Sequence, residues 1–329
     1  VGYLSDYVDG SNNPKPVLVF GGGYDTCEDV DSQTRCSSTP RKGANVWFVD
    51  ADTGTIIRTY PTNYSVAGDV LLLKNASGYI KYVYATDSGG YAYRINVGSY
   101  DGTTFGSFNS VAWASNASAA NITIANLSET NNARKFLSGP DVVEYEGYNA
   151  VLIGSGDREH SLEANYPCGS YAAPVAGGYV QNQFYMIKDR TEAYPAPIPR
   201  PSDLTDVTGI LDASEASIGE YGWLFSLDRC EQVVNKAITI GGNVYFGTNR
   251  PTPSSASSCA NALGEARGYA VNFLTAQPPV DGSRFTPFLG GGLPPSPVAG
   301  IVDVDGQKVP FIIGGSAASP LEGAKVTID

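Results

Sequence analysis

Four acidic side chains near the amino terminus form the densest carboxylate cluster in the sequence. They are Asp25, Glu28, Asp29 and Asp31. Calcium takes several oxygen ligands that a short loop can supply, so this spacing makes the segment a candidate calcium loop. Acidic side chains in a loop more commonly just face water, and the sequence leaves both interpretations open.

A second charged segment surrounds His160, the single histidine of the chain. A serine hydrolase would need this imidazole beside a serine on a Gly-x-Ser-x-Gly turn, and residues 154–160 (Gly-Ser-Gly-Asp-Arg-Glu-His) lack that motif. Asp157 and Glu159 have the residue types of a glycosidase, but sequence spacing does not give the carboxylate separation. We therefore predict no enzymatic activity and no catalytic residue, and interpret His160 as part of a charged structural turn.

The five cysteines contain no Cys-x-x-Cys pair, and a single histidine makes a structural zinc site a poor interpretation. Cys27 and Cys36 bracket a polar insertion, and Cys230 and Cys259 bracket a predicted hairpin. We predict both pairs to be disulfides, which favours an oxidising compartment. Cys168 then remains, either as a lone thiol or paired outside this chain.

Charge and hydropathy exclude several classes of partner. The formal net charge is −12, so the chain lacks the basic footprint of a nucleic-acid-binding protein. The same charge disfavours adsorption to an anionic membrane, and no apolar run is long enough to cross a bilayer. Residues 1–6 do not read as a signal peptide, so we expect a chain that is processed or cut from a longer one.

The elements that must position these residues are short strands, because one pattern recurs along the chain. An apolar strand ends at a turn rich in Gly, Asp or Asn, and a second, aromatic-rich strand follows. The first strands are Val17–Phe20, Tyr82–Ala85, Val151–Ile153, Val244–Phe246 and Pro310–Ile313. Their partners are Asn45–Asp50, Tyr91–Asn96, Gln183–Ile187, Gly268–Phe273 and Ala324–Val326.

Repeated strand units of this kind predict an all-β fold, a modified β-propeller formed as a single domain over residues 1–329, with about five readable blade units. Upstream strands are predicted within 66–73, 141–145, 234–240 and 297–302, whereas the first unit is expected to lack one. A short helix is predicted around 211–218.

Two longer insertions are predicted to be surface segments. Residues 99–130 are rich in Ser, Asn and Ala, and residues 192–206 are rich in proline. Loops on a rigid scaffold commonly carry recognition, so these segments are where we expect a partner to bind. The alternative, that they are merely tolerated insertions, stays open.

Motifs spread in order along the chain resemble the PilY family, called PilC in some bacteria. The motifs lie at residues 20–25 (Phe-Gly-Gly-Gly-Tyr-Asp), 85–90 (Ala-Thr-Asp-Ser-Gly-Gly), 154–160, 182–189, 244–249, 264–272 and 290–298. The resemblance implies the C-terminal propeller of that family, described there as seven-bladed, without the family's N-terminal adhesive region. It implies a type IV pilus biogenesis factor and tip-associated adhesin that promotes assembly by opposing retraction and supports twitching motility.

The same resemblance implies further partners and a location. Minor pilins of the tip complex and a host-cell or surface ligand are the expected partners, with no nucleic acid and no membrane insertion. The expected location is secreted or periplasmic to the cell surface, at the pilus tip or outer membrane.

The family's calcium loop is degenerate in this chain. Its four aspartate positions align with Leu73, Asn75, Ser77 and Lys81. Leucine offers no side-chain oxygen and lysine places a cation where an anionic ligand belongs, so we predict that this loop does not bind calcium. We therefore expect no cofactor, with calcium at Asp25, Glu28, Asp29 and Asp31 the remaining alternative. A further hypothesis is that the Lys81 ammonium replaces the ion and holds the turn closed.

Two other functions remain open. Residues 46–54 (Val-Trp-Phe-Val-Asp-Ala-Asp-Thr-Gly) resemble the blade motif of quinoprotein dehydrogenases, although the Thr-Gly turn closes hairpins in many propellers. A generic propeller adhesin that binds host ligands or glycans is the second alternative.

Overall fold

The computed structural model describes residues 1–29, 41–97, 122–129, 133–160, 180–190, 198–251, 263–279, 282–304 and 307–313. Their contacts divide the chain into two compact units. The first comprises Val1–Pro140 with Glu192–Arg200, and the second comprises Asp141–Thr191 with Pro201–Asp329. The prediction of one continuous propeller domain stays a prediction.

The first unit contains two four-stranded antiparallel sheets, each in chain order. One sheet is formed by β1 (Gly2–Val8), β2 (Pro14–Gly21), β3 (Asn45–Asp50) and β4 (Ile56–Pro61). The other is formed by β5 (Leu71–Lys74), β6 (Ile80–Thr86), β7 (Tyr91–Asn96) and β8 (Thr123–Asn126). Side chains alternate between faces along a strand, and in β2 the buried Val17 and Val19 alternate with the exposed Leu18 and Phe20. The buried set packs with inward residues of the second sheet into one hydrophobic core.

The second unit repeats this arrangement with additions. One sheet has the order β12-β13-β11-β10-β9, in which only β12 pairs in parallel. Its strands are β9 (Asp141–Tyr145), β10 (Tyr148–Gly154), β11 (Gln183–Asp189), β12 (Thr205–Asp206) and β13 (Gly222–Ser226). In the other sheet β15 to β18 pair in chain order and β14 lies beside β16. These strands are β14 (Gln232–Val233), β15 (Ile238–Ile240), β16 (Asn243–Arg250), β17 (Glu265–Asn272) and β18 (Phe285–Pro287).

A two-stranded hairpin of β19 (Val298–Val304) and β20 (Gln307–Ile313) follows in the same unit. The core of the second unit is an aromatic stack. The rings of Phe184 and Phe246 lie 3.9 Å apart and nearly parallel, and Tyr269 continues the stack at 4.7 Å from Phe246. Trp223 packs beside Phe184 and donates its indole N–H to the carbonyl of Phe273. Aromatic side chains on facing strands thus join the two sheets of this unit.

The predicted all-β, propeller-type architecture is confirmed, because antiparallel four-stranded meanders are the units of β-propellers. Four of the five predicted hairpins are present as β2–β3, β6–β7, β10–β11 and β16–β17. The third strand of the fifth unit, Ala324–Val326, lies outside the described residues. The number of blades stays a prediction.

Other details of the prediction were wrong. The first unit of the repeat does have its upstream strand, β1, which pairs with β2 across a bulge. In place of a helix at 211–218 there is one short 3-10 turn, Glu215–Ser217. The upstream strand predicted at 66–73 is β5, Leu71–Lys74, and the segment 99–130 contains β8. No helix of the described residues is long and apolar enough to span a bilayer.

Candidate functional site

The turn between β6 and β7 is organised by Asp87, whose side chain is fully buried. One carboxylate oxygen accepts the backbone N–H groups of Gly89, at 2.9 Å, and Tyr91, at 3.0 Å. Gly90 has a φ of +86°, a conformation that glycine adopts without steric cost. A β-carbon on Gly89 would lie 1.9 Å from Cδ2 of Tyr64, so only glycine lets that ring approach. The Asp-Ser-Gly-Gly turn is therefore built to seat Tyr64.

The other carboxylate oxygen of Asp87 binds Tyr64 and Tyr93. It accepts the backbone N–H of Tyr64 at 2.9 Å and the hydroxyl of Tyr93 at 2.5 Å. The Tyr93 hydroxyl in turn accepts the backbone N–H of Asn63 at 2.9 Å. Burial raises the pKa of Asp87 to about 7, although these hydrogen bonds act to lower it. One carboxylate thus ties the β6–β7 hairpin to the segment at residues 63–64.

Three tyrosines form a ladder over this carboxylate. The Tyr91 ring is nearly parallel to Tyr64, with centroids 6.1 Å apart, and to Tyr93 at 6.2 Å. The Arg41 guanidinium lies 4.0 Å from the Tyr64 centroid and donates to the carbonyl of Asn63. Stacked and cation–π contacts of this kind hold the rings in fixed positions.

A cleft of about 270 Å³ opens beside the ladder. It is lined by Asn63, Tyr91, Thr123, Asn126, Ile198 and Arg200. Tyr91 and Asn126 are cross-strand partners on β7 and β8, and the Asn126 N–H donates to the carbonyl of Pro199 at 3.0 Å. The structure therefore brings described parts of both segments predicted to carry recognition, 99–130 and 192–206, to one cleft. We name it the tyrosine cleft.

The tyrosine cleft has one charged residue in the part of its lining that the structure describes. That residue is Arg200, which supplies a guanidinium, and no described lining residue is acidic. Burial is the main cause that raises the pKa of Tyr91, and the charge of Asp87 adds to it, while Arg200 and Arg41 act in the opposite direction. Both guanidinium groups are therefore close enough to act on charge at the Tyr91 hydroxyl. A chain with a net charge of −12 thus has a recess with a guanidinium in its wall.

In the acidic segment considered as a calcium loop, the three described carboxylates have partners within the protein, and calcium binding there stays a prediction. Glu28 is fully buried, and its carboxylate accepts hydrogen bonds from the hydroxyls of Ser65 and Ser88 and from the Ser65 N–H. Asp25 accepts the N–H groups of Cys27 and Lys42, and Asp29 accepts the Tyr24 hydroxyl. Asp31 lies outside the described residues. Among the residues described, no three His, Cys, Asp or Glu side chains are grouped as metal ligands.

The degenerate family loop is the turn between β5 and β6. Asn75 Oδ1 accepts the backbone N–H groups of Ser77 and Tyr79, both at 3.0 Å, which closes the turn locally. The Lys81 ammonium instead lies 5.1 Å from the centroid of the Tyr82 ring, and Leu73 pairs with Tyr82 in the ladder. Asn75, one of the four aligned calcium-loop positions, is therefore a turn-forming group here, and the absence of calcium from this loop stays a prediction.

The second unit has its own buried polar network, centred on Glu231. The Arg267 guanidinium donates to Glu231 at 2.9 Å, to Asp228 at 2.7 Å and to Glu265 at 2.9 and 3.1 Å. The Thr248 hydroxyl donates to the other oxygen of Glu231 at 2.5 Å. Burial opposes the charge of Arg267, but the surrounding carboxylates raise its pKa above the ordinary value. The network lies between β14, β16 and β17 and forms a structural ion cluster.

His160 lies in a short 3-10 turn, Arg158–His160, as a structural interpretation requires. Its Nδ1 is 2.8 Å from an Asp157 carboxylate oxygen. The side chain of Gln232 binds both ends of this turn. Its carbonyl oxygen accepts the backbone N–H of Asp157, and its amide N–H donates to the backbone carbonyl of His160. The Ser155 hydroxyl of the same motif bonds to Asn182 at 3.0 Å. These side chains thus link the end of β10 to β14.

Cys27 and Cys230 are each disulfide-bonded, and no bond joins these two cysteines to each other. Their predicted partners, Cys36 and Cys259, lie outside the described residues, as does Cys168. The pairing therefore stays a prediction.

Sequence reasoning named the Asp-Ser-Gly-Gly turn and the two recognition segments but missed Asn63, Tyr64 and Arg41 as parts of one site. The signal that could have found Tyr64 is the paired glycine after Asp87, because two adjacent glycines at a strand end indicate a close approach by another group. Nothing local marks Asn63, which lines the cleft, or Arg41, which packs on Tyr64, since tertiary packing places both.

The chain matches known proteins by structure and not by sequence. No family model and no curated protein matches this chain by sequence. The crystal structure of the Pseudomonas aeruginosa PilY1 C-terminal domain is similar to it with a TM-score of 0.58 and 16% identity, over 94% of this chain and 72% of that one. A Pseudomonas putida quinohemoprotein alcohol dehydrogenase (TM-score 0.41, 11% identity, 82% of this chain and 35% of that one) is also similar. A europium-containing methanol dehydrogenase is similar as well, with a TM-score of 0.39 and 12% identity, over 84% of this chain and 44% of that one.

At TM-scores of 0.41 and 0.39 the two dehydrogenases carry no argument about this chain. The likeness to the PilY1 C-terminal domain agrees with the motifs at 20–25, 85–90 and 154–160, which form strand ends and turns of the fold. The resemblance drawn from the sequence is thereby confirmed at the level of the fold: the chain has a PilY1 C-terminal-like, propeller-type fold.

Proposed function

We propose that the chain is a non-enzymatic binding domain of a type IV pilus biogenesis factor, which promotes pilus assembly by opposing retraction. The observation that carries the proposal is the likeness to the PilY1 C-terminal domain over 94% of the chain. In this role the domain works at the cell surface or pilus tip, with minor pilins as partners and adhesion and twitching motility as the processes it supports.

Two features of the described residues support binding over catalysis. The Asp157–His160 pair is engaged by Gln232 and links two strands, and the nearby Ser155 hydroxyl is directed to Asn182. The recess at the tyrosine cleft instead collects side chains from two surface segments on a rigid sheet, an arrangement typical of recognition sites.

The dehydrogenase alternative gains no support from its motif. In residues 46–54, Asp50 ends β3, and its carboxylate accepts the N–H groups of Asp52 and Thr53, both at 2.9 Å. Gly54 follows with a φ of +71° and donates its N–H to the Asp50 carbonyl. This Asp-x-x-Thr-Gly stretch is a turn that returns the chain into β4, so its role is structural.

The deciding experiment is a count of surface pili by electron microscopy in a strain lacking the gene. The count is made with and without a functional retraction motor, and a complemented strain serves as the control. We expect few pili in the deletion strain and near-normal numbers when retraction is also disabled, because assembly itself would still proceed.

Normal piliation in the deletion strain with retraction intact would contradict the assembly role. A deletion strain that stays bald after retraction is disabled would show a requirement for assembly itself and would contradict opposition to retraction as the mechanism.

A further inference from the structure

We propose that the tyrosine cleft binds a single acidic sugar residue, a uronic or nonulosonic acid at the end of or within a glycan. The inference deepens the binding role proposed above and rests on it. The cleft combines an aromatic ring, carboxamide and hydroxyl side chains, and one guanidinium. Each of these groups matches one part of such a sugar.

The aromatic part is Tyr91. Its ring is nearly parallel to those of Tyr64 and Tyr93, with centroids 6.1 and 6.2 Å away, and its backbone N–H is bound by Asp87. A ring that is immobilised before binding loses little conformational entropy when a ligand packs on it. The C–H face of a pyranose is apolar and flat, so a fixed tyrosine at the cleft wall is a suitable contact surface.

The hydrogen-bonding part consists of Asn63, Asn126 and Thr123. A carboxamide offers both a donor and an acceptor, and a sugar hydroxyl is also both, so two amides can orient several hydroxyls at once. The backbones of both asparagines are fixed, Asn63 through Tyr93 and Asn126 through Pro199. The backbone positions that carry both amides are therefore held in place before a ligand arrives.

Arg200 is the residue that would select a negatively charged sugar over a neutral one. A guanidinium has five N–H donors in a planar fork, so it can keep an internal partner and still bind a carboxylate with two parallel hydrogen bonds. No described residue that lines the cleft has a carboxylate, so Arg200 is the charged group of the described wall that an incoming anion meets. A volume of about 270 Å³ fits one sugar residue and not an extended chain.

The test is a titration of the 329-residue chain followed by two-dimensional amide NMR or calorimetry. Methyl glucuronide and methyl glucoside form a matched pair that differs in the carboxylate, and methyl N-acetylneuraminide represents the nonulosonic acids. Acetate tests whether a carboxylate alone is enough. We expect an acidic sugar to bind with a Kd of about 1 mM or tighter, and the glucoside and acetate to bind at least about tenfold more weakly.

Variants assign the binding to the cleft. Arg200→Gln should raise the Kd for the acidic sugar at least about tenfold, and Tyr91→Ala should do the same through loss of the ring. Arg190→Gln is the matched control, because Arg190 is an arginine of the second unit with a 49% exposed side chain, and its variant should bind as the parent does. Far-ultraviolet circular dichroism confirms that each variant is folded.

The ranking of ligands sharpens or overturns the inference. Stronger binding of glucuronide indicates a polyuronate, and stronger binding of neuraminide indicates a glycoprotein glycan. Equal binding of glucuronide and glucoside, equal binding of acetate, no binding of either acidic sugar, or an unchanged affinity in Arg200→Gln would each overturn it. The titration uses purified protein and the pilus counts use a deletion strain, so either proposal can fail while the other stands.

Discussion

Asp87 and Glu28 of the first unit and Glu231 of the second unit are buried carboxylates with different kinds of partner. In the first unit, Asp87 and Glu28 are surrounded by neutral donors: backbone N–H groups and the hydroxyls of tyrosine and serine. In the second unit, Glu231 faces the Arg267 guanidinium, which also binds Asp228 and Glu265. Both arrangements satisfy buried oxygen atoms, but at Glu231 a guanidinium also balances the charge of the carboxylate, as Lys15 does for the buried Asp50.

This difference has consequences for stability and for binding. An ion cluster fails when one partner is removed, because the remaining charge is left buried. Asp87, which is held by neutral donors, has a pKa raised to about 7 because burial favours its protonated form. The first unit therefore has a group beside its cleft that responds to pH near neutrality, whereas the second unit has a fixed internal ion pair.

The largest effect is expected from breaking the ion cluster of the second unit. Arg267→Met leaves Glu231 without its cation, so the free energy of unfolding should fall by about 3–5 kcal/mol. Denaturant unfolding followed by tryptophan fluorescence measures this change. Arg190→Met is the control, because Arg190 and Glu220 are 49% and 64% exposed and such a pair contributes about 0–1 kcal/mol. Equal effects of the two substitutions would remove the distinction between the units.

An intermediate effect is expected from Asp87, and it depends on pH. Its folded pKa of about 7 lies above the ordinary value, so the native state binds the proton more tightly than the unfolded chain. The added stability is complete below about pH 4 and is lost as the pH rises through about 7. The difference in unfolding free energy between pH 5 and pH 8 should be about 1–3 kcal/mol larger in the parent protein than in Asp87→Asn.

The matched control for this pH dependence is Asp212→Asn, which changes an exposed carboxylate of the second unit. Its pH profile should follow that of the parent protein. An Asp87→Asn profile that also follows the parent would mean that Asp87 does not titrate in this range, and that neutral donors keep it ionised as firmly as a cation would.

The smallest effect is expected at the β5–β6 turn, where a neutral side chain, Asn75, and a cationic one, Lys81, can be compared directly. Asn75→Ala removes an acceptor from two backbone N–H groups and should lower the unfolding free energy by about 1 kcal/mol. Lys81→Ala removes a cation 5.1 Å from the Tyr82 ring and should cost about 0.5 kcal/mol. Thermal unfolding measures both. A loss of unfolding free energy in Lys81→Ala that exceeds the loss in Asn75→Ala would support the hypothesis that the Lys81 ammonium holds the turn closed.

Much of the fold could be predicted from local sequence patterns. The pairs β6–β7 and β16–β17 follow from apolar alternation and from turn residues such as those at 87–90. β1 and β8 were missed because both are edge strands, which are defined mainly by the partner they pair with. The expected helix at 211–218 is a single 3-10 turn, since Ala213 and Ile218 are buried by packing and not by helical periodicity.

The candidate site shows the same division. The sequence by itself determined that the chain is all-β, that Asp87 begins a tight turn and that two polar or proline-rich segments lie between strands, because each of these depends on neighbours along the chain. Only the tertiary structure decided that Asn126 and Arg200 line one cleft with Asn63 and Tyr91. It also decided that Glu28 turns inward to Ser65 and Ser88. The physical reason is that these contacts join residues far apart in sequence, and side-chain packing between sheets specifies them where no local spacing does.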